Sequence, residues 1–494
     1  MKIHVQNLGP LQKAEFDLKP LTVLVGPNNS GKTWLAYLLY GIFDPYGFNK
    51  YVQKYIEQDL ADYPPLDEAI EEVKQKGVAT VDMYAFAETY ADAYFTNVAK
   101  LAQSWMGDFM ATSPASFSNL QVSIQLTDFK EAFLQRIDQY ALNRNFAQGT
   151  LILRKKTRDR NLYILQSTEE ERAIDRLPGD LIRELIARFT MNVLHRSLYP
   201  NTYVFPTERT TFITLPFKEE IIEVDADSSQ KKPQATFERR EVYHPSDLAS
   251  EAPDDTRAGN ISLPVGNFLS AMSSIYAMNE RSRNRREVEA RKNPRVKSYI
   301  QLAKLLETEI LEGELYLATP ETNPIREIEF RPLEEDIKLG ISAASSTVKE
   351  LAPLALYLRY LAKPGDLLII DEPELNLHPV AQVKIIEFLA LLVNAGLYVL
   401  VTTHGTYVVD QLSNLMEAST YVNKEQLIDK FLLEQVESFI SPEKVAVYEV
   451  GNGELKNILD QDGSINWQTF SEISDLIHYI HVELIREGKK ADGA

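Results

Sequence analysis

Short apolar runs and longer segments of helical periodicity alternate along this chain. Residues 1–43 show short strand patterns around a turn at Gly9-Pro10, and the largely apolar run 21–25 predicts a buried strand. The run 34–40, which is Trp-Leu-Ala-Tyr-Leu-Leu-Tyr, predicts the first turns of a helix. The chain is therefore expected to begin with strands that lead into one helix.

A long segment of different character follows. Residues 44–200 contain amphipathic stretches rich in Tyr and Phe, which predict a mainly helical insertion. One hairpin, formed by residues 150–154 and 162–165, interrupts the helical pattern. The predicted helical stretches are 51–61, 66–75, 83–110 and 129–142.

The middle of the chain returns to strand patterns and then to helices. Residues 201–266 begin with a strand at 202–205 and include a polar segment, 224–255, which we interpret as a surface insertion with its own hairpin. Residues 267–312 predict one or two helices divided at Pro294. The basic side chains of this helical segment are Arg281, Arg283, Arg285, Arg286, Arg291, Lys292, Arg295 and Lys297.

The last third of the chain resembles a second α/β block. Residues 313–417 predict a hairpin followed by two buried strands with a helix between them, and the tail 418–494 mixes helix and strand. The hairpin strands are 314–317 and 327–330, the buried strands are 367–370 and 397–401, and the helix is 380–393.

Composition narrows the class of protein. With 494 residues, 44% of them hydrophobic, the chain has ample material for a globular core. It contains no cysteine, which excludes thiolate metal sites and cysteine nucleophiles, so any metal is expected to be oxygen-ligated Mg²⁺ brought by a nucleotide. The net charge of −19 argues against nucleic-acid binding over the whole surface but leaves room for a local basic patch.

The sequence predicts neither export nor membrane insertion. The N-terminus lacks the apolar core of a signal peptide. The longest apolar stretch, 388–401, is shorter than the roughly 20 residues that span a bilayer and is broken by Asn394-Ala-Gly396. We expect a cytoplasmic protein with no membrane partner.

A phosphate-binding motif lies between the predicted strand and helix of the N-terminal part. Residues 26–33, Gly-Pro-Asn-Asn-Ser-Gly-Lys-Thr, fit G-x-x-x-x-G-K-[ST]. Glycines allow a sharp turn that points backbone N–H groups and the helix N-terminus at phosphates, while the lysine adds a charge and the threonine a hydroxyl for Mg²⁺. A chance match in a Gly/Asn-rich turn is disfavoured by this context. The predicted nucleotide-binding residues are Gly26, Asn28, Asn29, Ser30, Gly31, Lys32 and Thr33.

Two acidic residues and one histidine follow the later buried strands. Asp371 and Glu372 end the first strand; we expect Asp371 to hold Mg²⁺ and Glu372 to polarise the water that attacks the γ-phosphate. Thr402-Thr-His404 ends the second, where His404 is positioned to hydrogen-bond the γ-phosphate. The alternatives are a solvated acidic pair and a structural histidine.

Taken together, residues 26–33, 371–379 (Asp-Glu-Pro-Glu-Leu-Asn-Leu-His-Pro) and 402–404 resemble the ABC ATPases of the SMC and overcoming-lysogenization-defect (OLD) groups, in their prokaryotic, non-transporter branch. The resemblance covers residues 1–40 and about 314–417. It implies an α/β fold, an ABC-type ATPase head with a mixed sheet and a P-loop core, here with a large helical insertion. It also implies ATP and Mg²⁺ as ligands, bound between two copies of the chain, hence at least a homodimer.

The resemblance places a signature motif at Ala344-Ser-Ser-Thr-Val-Lys-Glu-Leu351. Ser345 and Ser346 are then expected to contact the ATP of the opposite protomer. Ser346 and Thr347 replace the usual paired glycines, and a β-branched residue close to phosphate is expected to slow turnover. The alternative is a helix capped by serine.

The tetrad Pro206-Thr-Glu-Arg209 ends a strand between the two blocks. It lies where related proteins sense Mg²⁺ and nucleotide, so Glu208 and Arg209 are given a supporting role. A buried structural ion pair is the alternative.

The resemblance implies a sensor or scaffold subunit that controls a separate nuclease or toxin in bacterial anti-phage defence. The alternative is an SMC-like DNA-repair or clamp ATPase that binds DNA, or a DNA-mimicking acidic protein, through residues 281–297; a solvated helix face would look the same. A transporter motor is disfavoured. We also disfavour a nuclease in the same chain, because the candidate metal ligands, Glu449, Asp460 and Asp462, are close together, and Asp225 and Asp227 fit a solvated loop better.

Overall fold

The computed structural model describes residues 1–58, 60–146, 151–166, 179–214, 261–318, 328–460, 463–466 and 479–480. The predicted surface hairpin within 224–255, together with Asp225, Asp227 and Asp462, lies outside these residues. None of the described helices is long and apolar enough to cross a membrane.

Sixteen strands are formed by the described residues. They are β1 (Lys2–Leu8), β2 (Leu11–Asp17), β3 (Leu21–Val25), β4 (Val78–Asp82), β5 (Gln121–Gln125), β6 (Leu142–Phe146), β7 (Leu151–Lys155), β8 (Asn161–Gln166), β9 (Thr202–Phe205), β10 (Gly313–Leu317), β11 (Ile328–Pro332), β12 (Leu339–Gly340), β13 (Leu367–Asp371), β14 (Tyr398–Thr403), β15 (Val445–Gly451) and β16 (Glu454–Asn457).

Fourteen α-helices connect them within the same residues. They are α1 (Lys32–Phe43), α2 (Pro45–Gln58), α3 (Pro64–Lys76), α4 (Met83–Lys100), α5 (Ala102–Phe109), α6 (Lys130–Gln139), α7 (Gly179–Leu198), α8 (Arg209–Ile213), α9 (Leu263–Tyr276), α10 (Glu280–Lys292), α11 (Pro294–Glu309), α12 (Ser346–Tyr360), α13 (Pro379–Asn394) and α14 (Thr406–Ser419).

A nine-stranded mixed sheet organises the molecule, in the order β5-β1-β2-β16-β15-β3-β14-β13-β9. The five strands β15, β3, β14, β13 and β9 run parallel to one another, whereas β1 pairs antiparallel with β2 and β5. The carboxyl ends of the parallel strands meet at one edge, which is where ligands bind in such sheets. This architecture confirms the predicted α/β fold with a mixed sheet.

The central strands are largely apolar because helices cover both faces of the sheet. In β13, Leu367 and Ile369 belong to one core cluster and Leu368 and Ile370 to the other. This alternation follows from the period of two residues in a strand. The first cluster contains α1 and the 44–200 segment, and the second contains α11 to α14.

The 44–200 segment differs from the mainly helical pattern predicted for it. The predicted hairpin exists as β7 and β8, but it is the centre of a four-stranded sheet in the order β4-β8-β7-β6. In addition, β5 leaves this segment and pairs with β1 at the edge of the main sheet. Short strands such as 78–82 and 121–125 were missed because five residues give too little periodicity to distinguish them from helix ends.

Two other regions contain more structure than the sequence patterns indicated. The basic segment forms three helices, α9 to α11, and the predicted break at Pro294 separates α10 from α11. The tail contributes β15, which lies inside the main sheet beside β3 rather than outside it. Glu449, considered above as a nuclease ligand, is in β15 and pairs with Val25 at the site edge.

Backbone contact between α1 and α2 fixes the start of the 44–200 segment. A Cβ at Gly47 would lie 2.5 Å from the carbonyl oxygen of Gly41. We therefore expect Gly47→Ala to lower the midpoint of urea unfolding, by the equivalent of about 1–3 kcal/mol, because backbone cannot yield as a side chain does. In the control Gly266→Ala in α9, the new Cβ meets nothing within 4 Å. That variant should be neutral or gain up to about 1 kcal/mol; a loss at Gly266 that matched the loss at Gly47 would contradict the contact argument.

Candidate functional site

The phosphate loop (residues 26–33) connects the carboxyl end of β3 to the N-terminus of α1. Gly26 and Gly31 have φ values of 152° and 101°, and Asn29 has 61°, so the loop uses backbone conformations that favour glycine and asparagine. A Cβ at Gly26 would lie 2.2 Å from the carbonyl oxygen of Val450 in β15. The tail strand therefore packs directly against the first glycine of the loop.

Lys32 is buried and turned back onto its own loop. Its Nζ donates hydrogen bonds to the carbonyl oxygens of Gly26, at 2.9 Å, and Pro27, at 2.8 Å. Burial lowers the pKa of Lys32, and the carboxylates of Glu372, Asp371 and then Glu374 oppose that shift. A cation held in this way is available to an incoming phosphate.

Thr33 and Asp371 bring the two motifs together. The Thr33 hydroxyl lies 3.1 Å from both carboxylate oxygens of Asp371, although 338 positions separate the two residues. Asp371 also accepts a hydrogen bond from the hydroxyl of Thr402 and has no exposed surface. Burial raises the pKa of Asp371 to about 6, while the hydroxyls of Thr402 and Thr33 oppose the shift.

Glu372 comes directly after β13, and its backbone is strained. Its φ of 49° is unusual for a residue with a side chain. The backbone N–H donates to the carbonyl and the hydroxyl oxygen of Thr402, each at 3.1 Å. These bonds lock the end of β13 to β14.

His404 lies between two carboxylates. Its Nδ1 is 3.4 Å from Oε1 of Glu372 and 3.8 Å from Oε1 of Glu374, and its side chain is 45% exposed. Glu374 is buried and accepts hydrogen bonds from the Thr403 hydroxyl, at 2.5 Å, and from the His404 backbone N–H, at 3.1 Å. The His404 side chain is therefore partly exposed to solvent, while a hydrogen bond to Glu374 holds the His404 backbone in place.

The residues present fit a nucleotide and a magnesium ion. The Ser30 hydroxyl oxygen is buried in the phosphate loop without a hydrogen-bond partner, which is costly unless a ligand supplies one. Gly31 offers no side chain to cap α1, so the first amides of that helix face the loop. A hydroxyl beside a carboxylate, as in Thr33 and Asp371, is an oxygen donor set suited to Mg²⁺.

The signature residues lie apart from the phosphate loop of the same chain. Ser345 and Ser346 are exposed at the start of α12, and no hydrogen bond between described residues joins them to the loop. The Ser345 side chain accepts from the Val348 N–H at 3.3 Å and so caps the helix. The helix begins at the predicted position, with Ser345 as its cap.

The tetrad at 206–209 divides into an exposed and a buried half. Glu208 is exposed and accepts a 3.3 Å hydrogen bond from Thr207. Arg209 is 1% exposed and forms an ion pair with Glu350 of α12, 2.9 Å between Nε and Oε2. The ion-pair alternative is thus realised for Arg209.

The basic segment requires one correction. The sequence places Arg286 among the residues available to an anionic partner, but its side chain is buried, with 7% exposed. Its guanidinium donates to the carbonyl oxygens of Arg359 and Ala362 and pairs with Glu289. The helical face that contains Arg286 packs on the body of the protein, which net charge alone does not reveal.

Sequence reasoning missed four polar residues that shape this edge. In the sequence, Thr402 and Thr403 are only a lead-in to His404, and Glu374 and Glu350 are only positions within the motifs 371–379 and 344–351, with no role assigned to them. A signal existed for Glu350, since it falls on the apolar face of the predicted helix, where an acid needs a partner. No such signal exists for the threonines, because strand register sets Asp371 opposite Thr402 and only the fold brings Glu374 to the Thr403 hydroxyl.

Removing the buried charge of Asp371 should stabilise the nucleotide-free protein. A pKa moved from 3.8 to about 6 corresponds to up to about 3 kcal/mol of destabilisation, which is full above pH 6 and vanishes below the unfolded-state value. Asp371→Asn should therefore raise the thermal midpoint in EDTA at pH 7.5, with a smaller gain at pH 5. The threonine hydroxyls can reverse as donors or acceptors to suit the amide.

Asp366→Asn is the matched control. Asp366 is also fully buried with a pKa of about 6, but it accepts from the Asn201 amide at 2.8 Å and from the fixed Lys363 N–H at 2.8 Å. An amide there faces donors, so no comparable gain is expected. A loss of stability in Asp371→Asn at both pH values would contradict the electrostatic argument.

Comparison with solved structures finds SMC heads. The Smc head bound to the C-winged helix domain of ScpA is 12% identical, with a TM-score of 0.36, over 92% of this chain and 96% of that chain. The Smc head with an extended coiled coil bound to the C-terminal domain of ScpA, from Pyrococcus furiosus, is 12% identical, with a TM-score of 0.34, over 97% and 98%. The SMC head from Thermotoga maritima is 12% identical, with a TM-score of 0.28, over 92% and 97%. At these scores the likenesses carry no argument about function.

Sequence comparison is more decisive. No curated protein matches the chain. The family described as AAA ATPase domain matches residues 1–409, which include the phosphate loop, Asp371-Glu372 and His404. The chain belongs to the AAA ATPase domain family.

Proposed function

We propose that this protein binds ATP with Mg²⁺ at the phosphate loop, hydrolyses it slowly, and thereby controls a separate effector, a nuclease or a toxin, in bacterial anti-phage defence. The contact between Thr33 and Asp371 is the observation that carries the ATPase part, because it unites the two sequence motifs in one site. The defence role follows from the resemblance to the OLD and SMC groups. A cytoplasmic location fits this role.

Each site residue has a distinct task in the proposed hydrolysis. Lys32 exchanges its two loop carbonyls for phosphate oxygens and neutralises their charge. Thr33 and Asp371 hold Mg²⁺, which supplies further charge neutralisation when bound. Glu372 orients the attacking water and takes its proton, and His404, 3.4 Å from Glu372, lies where it can report phosphate occupancy.

The proposed site is completed by a second copy of the chain. Ser345 and Ser346 are exposed at a helix N-terminus, which suits phosphate binding, yet they make no hydrogen bond to their own loop among the described residues. We infer that they meet the ATP of a partner subunit. Thr347, a β-branched residue in place of glycine, supports slow turnover.

The compact 44–200 segment favours a sensor over a clamp. Among the described residues the longest helix is α7, with 20 residues. Residues of α2 to α7 share one core cluster with α1 and β1 instead of extending as an arm. A clamp that encloses a duplex needs arms, whereas a scaffold needs a rigid body that follows the nucleotide site.

A specific observation nevertheless supports the DNA-binding alternative. Arg281, Arg285 and Lys292 are exposed on the outer face of α10, opposite the buried Arg286 and Ala290. These side chains recur at helical spacing and could neutralise phosphates or an acidic protein.

ATP should join two copies of the chain. In Glu372→Gln, hydrolysis should fall at least about 10²-fold and ATP with Mg²⁺ should convert monomer to dimer in light scattering. Adding Ser346→Glu should abolish that dimer, because a carboxylate would face phosphate, while ATP binding to the monomer persists. The control is Ser104→Glu, an exposed serine of α5, which should leave the dimer intact. An ATP-dependent dimer that survives Ser346→Glu would contradict the shared site.

Three measurements distinguish the sensor proposal from the clamp proposal: co-purification of a partner, phage protection in cells, and DNA binding by the purified protein. If the sensor proposal is right, the product of the neighbouring gene co-purifies, and phage protection is lost in Lys32→Ala. If the clamp proposal is right, the protein binds duplex DNA with a steep salt dependence that is lost in the triple variant Arg281→Glu, Arg285→Glu, Lys292→Glu. The control for charge reverses Lys2, Lys13 and Lys76, which are exposed elsewhere. If no partner co-purifies and the protein gives no protection against phage, the sensor proposal is wrong.

A further inference from the structure

The guanidinium of Arg209 is buried beneath the edge of the sheet that carries Asp371 and Glu372, and it binds backbone carbonyls. Nη1 donates to the carbonyl oxygens of Pro206, at 2.9 Å, and Asp371, at 2.7 Å, and Nη2 donates to that of Glu372, at 2.8 Å. The residue is 1% exposed. Three main-chain contacts from one planar group fix the relative positions of β9 and the end of β13.

The Nε–H group of Arg209 meets Glu350 in α12. Nε lies 2.9 Å from Oε2 of Glu350 and donates to the Glu350 carbonyl at 3.3 Å. The other carboxylate oxygen of Glu350 accepts from Nδ2 of Asn376, at 2.8 Å. Glu350 thus contacts the loop that begins at Asp371 in two places. It pairs with Arg209, which binds the start of the loop, and it accepts a hydrogen bond from Asn376 near the end of the loop.

The backbone of that loop is strained at two residues, and these hydrogen bonds keep it in the strained conformation. Glu372 and Asn376 have φ values of 49° and 58°, in the left-handed region. Such conformations persist where surrounding contacts over-determine them. For Glu372 the contacts are Thr402 on the N–H side and Arg209 on the carbonyl side.

We propose that Arg209 is a positioning residue for Glu372, and that Glu350 makes this positioning depend on α12. The direction of the Glu372 side chain follows from its φ, which the bond from Nη2 helps to hold. Lysine cannot replace arginine here, because an ammonium group on a flexible chain cannot reach three carbonyls in one plane. Glu350 is one turn beyond the exposed Ser345 and Ser346, so displacement of α12 acts on the base through one ion pair.

The inference rests on the proposed role of Glu372 in hydrolysis, and the experiment separates the two. ATP affinity is measured with a fluorescent ATP analogue, and kcat by phosphate release, for the full chain. Arg209→Lys should lower kcat about 10²-fold with KM and analogue affinity nearly unchanged, since displacement of a reacting group by about 1 Å has that effect. In a Glu372→Gln background, Arg209→Lys should have no further effect on kcat.

Arg286→Lys is the matched control for loss of a buried arginine. Arg286 likewise binds main-chain carbonyls, those of Arg359 and Ala362, but at the far end of α12. Its replacement should lower the thermal midpoint without the selective loss of kcat. If Arg209→Lys does not fold, Glu350→Gln is measured instead, which keeps the size and the acceptor for Asn376 and should lower kcat in the same selective way.

The possible results distinguish failure of the proposed role of Glu372 from failure of the positioning role of Arg209. If Glu372→Gln retains activity, the proposed role of Glu372 fails. If Glu372→Gln is inactive while Arg209→Lys and Glu350→Gln keep kcat, the positioning inference is overturned and the proposed function stands. Losses of kcat that multiply in the double variant would also overturn it, because they would show that Arg209 acts independently of Glu372.

Discussion

Parallel pairing of β3 and β13 on either side of β14 is the constraint on which the site depends. It sets Thr403 opposite Val25 and Asp371 opposite Thr402. Because the carboxyl ends of parallel strands meet at one edge, the phosphate loop after β3 and the acids after β13 must lie together. The tail strand β15 adds a fifth parallel strand and packs its backbone against Gly26, so residues beyond 440 also shape the phosphate loop.

Several charged side chains are buried together at this edge of the sheet. Lys32, Asp371, Glu374, Arg209 and Glu350 are all buried, and each has a partner of opposite charge or a hydroxyl nearby. Such groups are unfavourable in isolation and are retained where they act together. The strained φ of Glu372 points the same way, since strain is found where function requires a fixed geometry.

Much of the fold was predictable because local pattern determines it. The strand 21–25, the loop at 26–33, the helix that begins near Ser346, the hairpin of β7 and β8, and the break at Pro294 were all predicted, and the structure confirms them. Motif spelling and flanking periodicity were sufficient in each case. The sheet around β7 and β8, the pairing of β5 with β1 and the central place of β15 were not predictable, because strand order depends on contacts between distant segments.

The sequence by itself determined the family, the identity of the phosphate loop and acidic residues, and the absence of cysteine chemistry, because these depend on residue type and spacing. Only the tertiary structure decided which polar residues hold the loop at 371–377, that Arg209 pairs with Glu350, and that Arg286 is buried rather than part of the basic surface. The physical reason is that the neighbours of a charged side chain in space decide whether it is buried and what it pairs with. Register and packing choose those neighbours from distant positions: 141 residues separate Arg209 from Glu350, and 338 separate Thr33 from Asp371.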